Sequence, residues 1–131
     1  TALDLSKNTA LATLACSRNQ LTALDLSQNT AITELYCNNN QLAALDLSRN
    51  TALTELYCNG NRLTTLDLSR NTELTKIYCD DNPLTELNIS NLSKIEEIVF
   101  GDNPEINVIA NSQTVVSDEV RHYMDGKRKT P

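Results

Sequence analysis

The sequence predicts a β-rich solenoid of about five 21-residue coils, with short parallel strands on two sides and a small C-terminal cap. Two observations predict this fold class. Apolar and asparagine positions recur in phase every 21 residues, and apolar and polar residues alternate within each half of the unit. The apolar anchors of successive units are Leu11, Ile32, Leu53, Leu74 and Ile95.

Each unit contains two short strand patterns. In residues 53–61 the alternation directs Leu56 and Cys58 inward and Tyr57 outward, which is the period of a strand. Residues 63–71 repeat the alternation with a second set of leucines. Neither half-unit has the roughly ten residues of helical periodicity that an α-helix needs. The unit therefore predicts strands on both sides, joined by tight turns.

Two columns of asparagine lie at the predicted turns. An inward amide there can bond carbonyl and N–H groups of its own coil and of the adjacent coil. Because buried polar groups are normally bonded, we expect these columns to form structural ladders. One column comprises Asn19, Asn40, Asn61, Asn82 and Asn103, and the other comprises Asn29, Asn50 and Asn71.

The repeat predicts a solenoid over residues 1–109 and a C-terminal cap and tail over residues 110–131. An extra residue near Glu105 interrupts the phase, so Ile106 and Ile109 are expected to end an irregular coil. A solenoid exposes its last apolar layer, which requires a capping element, here expected to include a short helix. The alternative is a junction to a further domain.

Charge and motifs exclude several functions. The chain has 11 Lys and Arg against 17 Asp and Glu, a net charge of −6 that disfavours nucleic acids and anionic membranes. No apolar run approaches the roughly 20 residues of a membrane-spanning helix. His122 is the only histidine, and no nucleophile-elbow, phosphate-loop or zinc-protease motif is present. We therefore expect neither an enzyme nor a cofactor.

The cysteines form one inward column, Cys16, Cys37, Cys58 and Cys79. Their uniform spacing matches neither a zinc motif nor a paired disulfide framework. Neighbours one strand apart are separated by about 4.8 Å, whereas the Cβ atoms of a disulfide are about 3.8 Å apart. Apolar packing in the core is the predicted role.

A second column is acidic and points outward: Asp4, Asp25, Asp46 and Asp67, followed by Asn88. Stacked carboxylates repel one another, and a calcium ion could bridge them. One carboxylate per coil is a sparse ligand set, and flanking serine and threonine hydroxyls can bond each aspartate. The sequence therefore favours a hydrogen-bonded structural role, with calcium as the alternative.

The outward face of the Cys-bearing sheet carries a stripe of tyrosines. Stacked aromatic rings stabilise neighbouring strands by about 0.2–1 kcal/mol per pair without any ligand. Tyrosine is equally favoured at recognition surfaces, because it joins a large apolar ring to a polar tip. The candidate partner-binding residues are Tyr36, Tyr57, Tyr78, Glu34, Glu55, Asn38 and Asn59, with Lys76, Glu97 and Asp80 beside them.

The pattern L-x-x-L-x-L-x-x-N, repeated over residues 1 to about 109, resembles the leucine-rich repeat. The 21-residue form ending in L-x-x-L-D-L-x-x-N is similar to the IRREKO-type subclass of mainly bacterial proteins. The resemblance implies an extracellular or cell-surface protein of bacteria, used for protein recognition or adhesion. Two departures are cysteine in place of the usual leucine and Ala15 where later coils have tyrosine.

These observations predict a non-enzymatic recognition module that binds a protein partner through the tyrosine-bearing sheet. The acidic body favours a basic partner, and a glycan is less favoured. The alternative is a structural spacer with no ligand of its own. Ice binding would need outward threonine pairs, whereas the threonine column lies in a turn. An exposed end coil could also stack against a second copy of the chain.

Overall fold

The alternation of inward and outward residues forms seven three-residue strands in the computed structural model, which describes residues 3–101 and 106–110. No helix occurs among these residues, and therefore none that could cross a membrane. The strands are β1 (Thr13–Ala15), β2 (Glu34–Tyr36), β3 (Glu55–Tyr57), β4 (Lys76–Tyr78), β5 (Glu86–Asn88), β6 (Glu97–Val99) and β7 (Asn107–Ile109).

The strands form two parallel sheets. Five of them pair in the order β1-β2-β3-β4-β6, and β5 pairs with β7 in a two-stranded sheet. Pairing follows the repeat, so that Leu35 lies opposite Leu56 and Leu56 lies opposite Ile77. The parallel-strand solenoid predicted from the sequence is confirmed, with about four turns. The predicted C-terminal cap lies outside the described residues.

Side chains stacked in register fill the interior between the two sides. Leu35, Leu56 and Ile77 are fully buried at the centre of the larger sheet. The cysteine column is buried as free thiols, and desolvation raises the pKa of each thiol above its ordinary value. The predicted role of the cysteines in apolar packing is confirmed.

The second side has less strand pairing than the first. Leu66 and Leu68 are buried around an exposed Asp67, as the alternation predicts, but this segment is not a strand. Between the earlier coils, single backbone bonds connect this side, such as the 2.8 Å bond from the Arg62 N–H to the Leu42 carbonyl. Paired strands form here only from β5 to β7 within the described part of the chain.

The first asparagine column forms a hydrogen-bond ladder from Asn19 to Asn82. The Nδ2 group of Asn61 donates to the carbonyl of Cys37 at 3.1 Å and to that of Cys58 at 2.9 Å. Its Oδ1 accepts the N–H of Leu42 at 3.1 Å. Asn40 and Asn82 make the corresponding bonds. The predicted ladder is confirmed, and Asn103 lies outside the described residues.

The second asparagine column uses only its donors. The Nδ2 group of Asn50 donates to the carbonyls of Leu26 at 3.2 Å and Asn29 at 2.9 Å. The Oδ1 atoms of Asn29, Asn50 and Asn71 are buried and accept no hydrogen bond. This column therefore bonds backbone carbonyls of the preceding coil, and its Oδ1 atoms have no hydrogen-bond partner among the described residues.

A left-handed backbone residue follows each of the strands β1, β2, β3 and β4. The φ angles are 58° at Arg18, 58° at Asn39, 69° at Gly60 and 54° at Asp81. A Cβ atom added at Gly60 would lie 2.3 Å from Oδ1 of Asn39, so the glycine leaves room for its stacked neighbour. Because four different residue types adopt this conformation at equivalent positions, we attribute it to the stacking of the coils and not to glycine alone.

The last described coil corrects one expectation from the sequence. Val108 pairs opposite Leu87 and Asn107 opposite Glu86, which is the same 21-residue offset as elsewhere. Val108 is buried and Ile109 is 37% exposed. The expected loss of phase is therefore wrong for Asn107–Ile109, which keep the 21-residue offset. Strand pairing with β5 holds the register across the interruption near Glu105.

Replacing Asn61 by Leu is expected to lower the free energy of unfolding by about 1–3 kcal/mol, because buried backbone groups lose their partners. The bonds lost are those from Nδ2 and to Oδ1 of Asn61. Urea denaturation measures the change. The control is Asn91→Leu at an exposed position. Equal midpoints for both variants would contradict the structural role of the ladder.

Candidate recognition surface

The tyrosine column forms a continuous stack of rings. Register pairing places Tyr36 beside Tyr57, and Tyr57 beside Tyr78, at the last position of β2, β3 and β4. The ring centroids of Tyr36 and Tyr57 are 4.6 Å apart with an interplanar angle of 11°. Those of Tyr57 and Tyr78 are 4.9 Å apart at 30°. The three half-buried rings thus make one ordered outward surface.

Glutamate carboxylates hold the hydroxyl ends of the rings. Tyr36 Oη donates to Oε1 of Glu34 at 2.9 Å, within the same strand. Tyr57 Oη donates to Oε1 of Glu55 at 2.8 Å. On β4 the equivalent position is Lys76, which cannot accept a hydrogen bond. We refer to Tyr36, Tyr57, Tyr78, Glu34, Glu55 and Glu97 as the Tyr–Glu face.

The third tyrosine takes its acceptor from the next coil. Tyr78 Oη donates to Oε1 of Glu97 on β6, which lies opposite Lys76 in the pairing register. Glu97 is therefore part of this surface, although it was not among the candidate binding residues. The signal in the sequence is its column, which it shares with Glu34 and Glu55 on either side of the lysine.

These contacts raise the pKa of each tyrosine. The hydrogen bond to Glu34 is the main cause for Tyr36, burial is the main cause for Tyr57, and the bond to Glu97 is the main cause for Tyr78. The three hydroxyls remain protonated donors at neutral pH. Because the folded-state pKa values are raised, the three tyrosines stabilise the fold while they are protonated. This stabilisation is lost as pH rises through the folded-state values.

The remaining candidate residues lie along the other margin of the same face. Asn38 and Asn59 are half-buried, one position after the inward cysteine of their coils. Their carbonyls accept the N–H groups of Arg18 at 2.9 Å and Asn39 at 2.8 Å, which extends the coil-to-coil bonding past the strands. The structure thus places all seven candidates on one surface, and their role in binding stays a prediction.

The acidic column on the second side serves the turns. Oδ1 of Asp46 accepts the backbone N–H of Ser48 at 2.9 Å and its hydroxyl at 2.6 Å. The predicted hydrogen bonding of the aspartates is confirmed, and each bond joins an aspartate to a serine of the same coil. The serine hydroxyl first, then the serine N–H, lowers the pKa of each aspartate. The other pairs are Asp4 with Ser6, Asp25 with Ser27, Asp67 with Ser69 and Asn88 with Ser90.

A solvent-open hollow lies on the second side, and its lining includes Asp67, Glu86 and Asn88 from neighbouring coils. No three His, Cys, Asp or Glu residues of the described chain are arranged to hold a metal ion. The hollow lies on the other side of the solenoid from the tyrosine stack.

Comparison with known proteins gives structural matches. No family model matches the chain, and no curated protein matches it. Among solved structures, the functional domain of InlJ from Listeria monocytogenes aligns with a TM-score of 0.78 and 34% identity over 80% of this chain. That domain is described as including a cysteine ladder. This chain spans 23% of that protein's length.

Two further structures share the fold. An internalin, InlF, from Listeria monocytogenes aligns with a TM-score of 0.70 and 19% identity, over 90% of this chain and 39% of its own. A leucine-rich repeat protein of Leptospira interrogans aligns with a TM-score of 0.68 and 22% identity, over 88% of this chain and 29% of its own. The predicted resemblance to bacterial leucine-rich repeat proteins is confirmed.

Replacing Ser48 by Ala is expected to raise the pKa of Asp46 towards its ordinary value, because the hydroxyl donor is lost while the N–H remains. The stabilisation by Asp46 is present above the ordinary aspartate pKa and is lost as pH falls through the folded-state value. An NMR titration of the carboxyl carbon measures the shift. Asp4, whose partner Ser6 is intact, is the internal reference. An unmoved Asp46 would contradict the assignment.

Replacing Glu34 by Gln is expected to lower the pKa of Tyr36, since the charged acceptor of its hydroxyl is lost. Titration of the ring resonances between neutral and high pH measures the change. The matched control is Glu73→Gln, which breaks the 2.9 Å ion pair with Lys94 away from the stack. The same Tyr36 pKa in both variants would show that the Glu34 bond has no influence on the ring.

Proposed function

We propose that this chain, which has the leucine-rich repeat fold of its bacterial structural neighbours, is a non-enzymatic protein-recognition or adhesion module. Its binding surface is the Tyr–Glu face with Asn38 and Asn59 at its margin. One observation carries the proposal: the three rings are stacked and their hydroxyls are fixed by carboxylates before any partner arrives.

This order favours binding over a merely structural role for the stack. Binding costs about 0.5–1.5 kcal/mol for each flexible side chain that becomes fixed at an interface. The rings of Tyr36, Tyr57 and Tyr78 already have fixed neighbours on a sheet with a fully buried core beneath it. The surface therefore offers a large apolar area with polar ends at little further entropic cost.

The charge of the surface favours a basic partner. Glu34, Glu55 and Glu97 lie along one margin of the stack, and Lys76 is the one cation in that column of the described residues. The whole chain carries a net charge of −6. A positively charged partner would be steered towards this surface, whereas a neutral glycan would gain less.

A surface-exposed or secreted location follows from the same proposal. An internalin and the functional domain of InlJ are among the matched structures, and this chain spans less than half of either protein. We infer that the solenoid presents the Tyr–Glu face to molecules outside the bacterial cell. Binding by a preformed surface needs no bond-breaking step, so the proposal includes no catalytic residue.

Replacing Tyr36, Tyr57 and Tyr78 by Ala is expected to abolish capture of a partner from a host-cell surface extract, because the ring surface is removed. A Tyr→Phe triple variant keeps the stack and loses only the hydroxyls, which separates ring area from hydrogen bonding. The matched control is Thr22/Thr64/Thr85→Ala, at exposed positions on the second side. Circular dichroism verifies that all variants are folded.

Retention of the partner by the folded Tyr→Ala variant, with loss in the threonine variant, would move the binding surface to the second side. If the wild type captures no partner from extracts in which related surface proteins find theirs, the chain is a structural spacer. Loss in the Tyr→Ala variant alone supports the proposed function.

A further inference from the structure

The tyrosine stack ends abruptly at Tyr36. Pairing of β1 with β2 places Ala15 opposite Tyr36, at the position where β2, β3 and β4 carry a ring. The side chain of Ala15 is exposed and consists of a single methyl group. At the other end the bulkier Val99 lies opposite Tyr78. The Ala15 end of the stack is therefore a step, with the outer face of the Tyr36 ring as its wall.

In the register of the stack, Ala15 occupies the position of one further ring. Successive rings in the stack are separated by 4.6 Å and 4.9 Å between centroids. A planar group entering from solvent above Ala15 would meet the face of Tyr36 at this same spacing. The inner ring, Tyr57, offers no such face, because its neighbours cover it on both sides, and Val99 lies opposite Tyr78 at the other end.

A carboxylate borders the step. Oε1 of Glu34 accepts the hydroxyl of Tyr36 at 2.9 Å, and Oε2 lies 3.5 Å from the hydroxyl of Thr13 on β1. Glu34 thus extends from the ring towards the strand that carries Ala15. A carboxylate has about four acceptor positions, so further donors can bond here. The one ion pair formed within the described residues is Lys94 with Glu73, elsewhere on the molecule.

We propose that the step formed by Ala15, Tyr36 and Glu34 binds the guanidinium group of an arginine presented by the protein partner. This inference rests on the recognition function proposed above and names the chemistry of its partner. A guanidinium is planar, stacks on aromatic faces and donates several N–H bonds in a fork that suits a carboxylate. Lysine has the charge without the plane, and citrulline has the plane without the charge.

The probe for the test is N-acetyl-arginine amide, with the lysine and citrulline amides as matched controls. NMR titration follows the Ala15 methyl and the Tyr36 ring resonances. The arginine probe is expected to shift both in a saturable manner. The other two are expected to bind about two- to fivefold more weakly, the size of an exposed cation–π contact. Equal binding of all three probes, or no saturable shift, would overturn the proposal.

Filling the step provides the sharpest variant. Ala15→Tyr adds the residue that the next three coils already carry, and it leaves Glu34 and Thr13 in place. It is expected to remove saturable binding of the arginine probe. The matched control, Val99→Tyr, extends the other end of the stack and is expected to bind like the wild type. Ala15→Leu fills the step without a ring and replaces Ala15→Tyr if that variant does not fold.

Binding by Ala15→Tyr at wild-type strength would contradict the proposal, as would an equal loss in Val99→Tyr. Capture of the full protein partner separates this inference from the proposed function. Capture lost in the Tyr→Ala triple variant but kept in Ala15→Tyr would disprove the arginine step and leave the recognition surface intact. Capture kept in both would disprove the recognition surface as well.

Discussion

Parallel pairing in register places residues of the same type next to one another in successive coils. Each residue type in the repeat must therefore pack or bond well against a copy of itself. Leucine and cysteine tolerate this by packing, as the buried columns do. Asparagine does so by carrying both a donor and acceptors: one amide of Asn61 bonds Cys58 of its own coil and both Cys37 and Leu42 of the preceding coil. These contacts provide hydrogen-bond partners for the backbone of the turns, and they set the spacing of the outward columns.

Charged columns meet the same constraint with more difficulty, because like charges directly opposite one another are destabilising. The aspartates on the second side are each bonded to a serine of their own coil, which stabilises the charged form locally. Glu34 lies opposite Glu55, and each carboxylate accepts a tyrosine hydroxyl. Lys76 then separates Glu55 from Glu97. The tyrosine stack and the glutamate column therefore stabilise each other.

Features that the repeated residue types specify could be predicted from the sequence: the strands of the first side, the inward cysteines and the asparagine ladder. Features that the repeated residue types do not specify could not be predicted. Tyr78 bonds Glu97 of the next coil because Lys76 replaces its own acceptor. The column of residues with left-handed backbone carries four different residue types, so no repeated residue marks it in the sequence. Ile109 points outward because pairing with β5 outweighs the local hydrophobic pattern.

Residues that depart from the repeat make one coil different from the next, and identical coils would lack this difference. On a perfectly periodic surface, a partner shifted by one coil would make the same contacts, so its position along the solenoid would be undefined. Specificity requires a difference in affinity between such positions. Ala15, Lys76 and Val99 interrupt the outward columns and remove this equivalence. A partner that places an arginine on the Ala15 step would thereby have one preferred register, with its remaining contacts distributed along the rings of the stack.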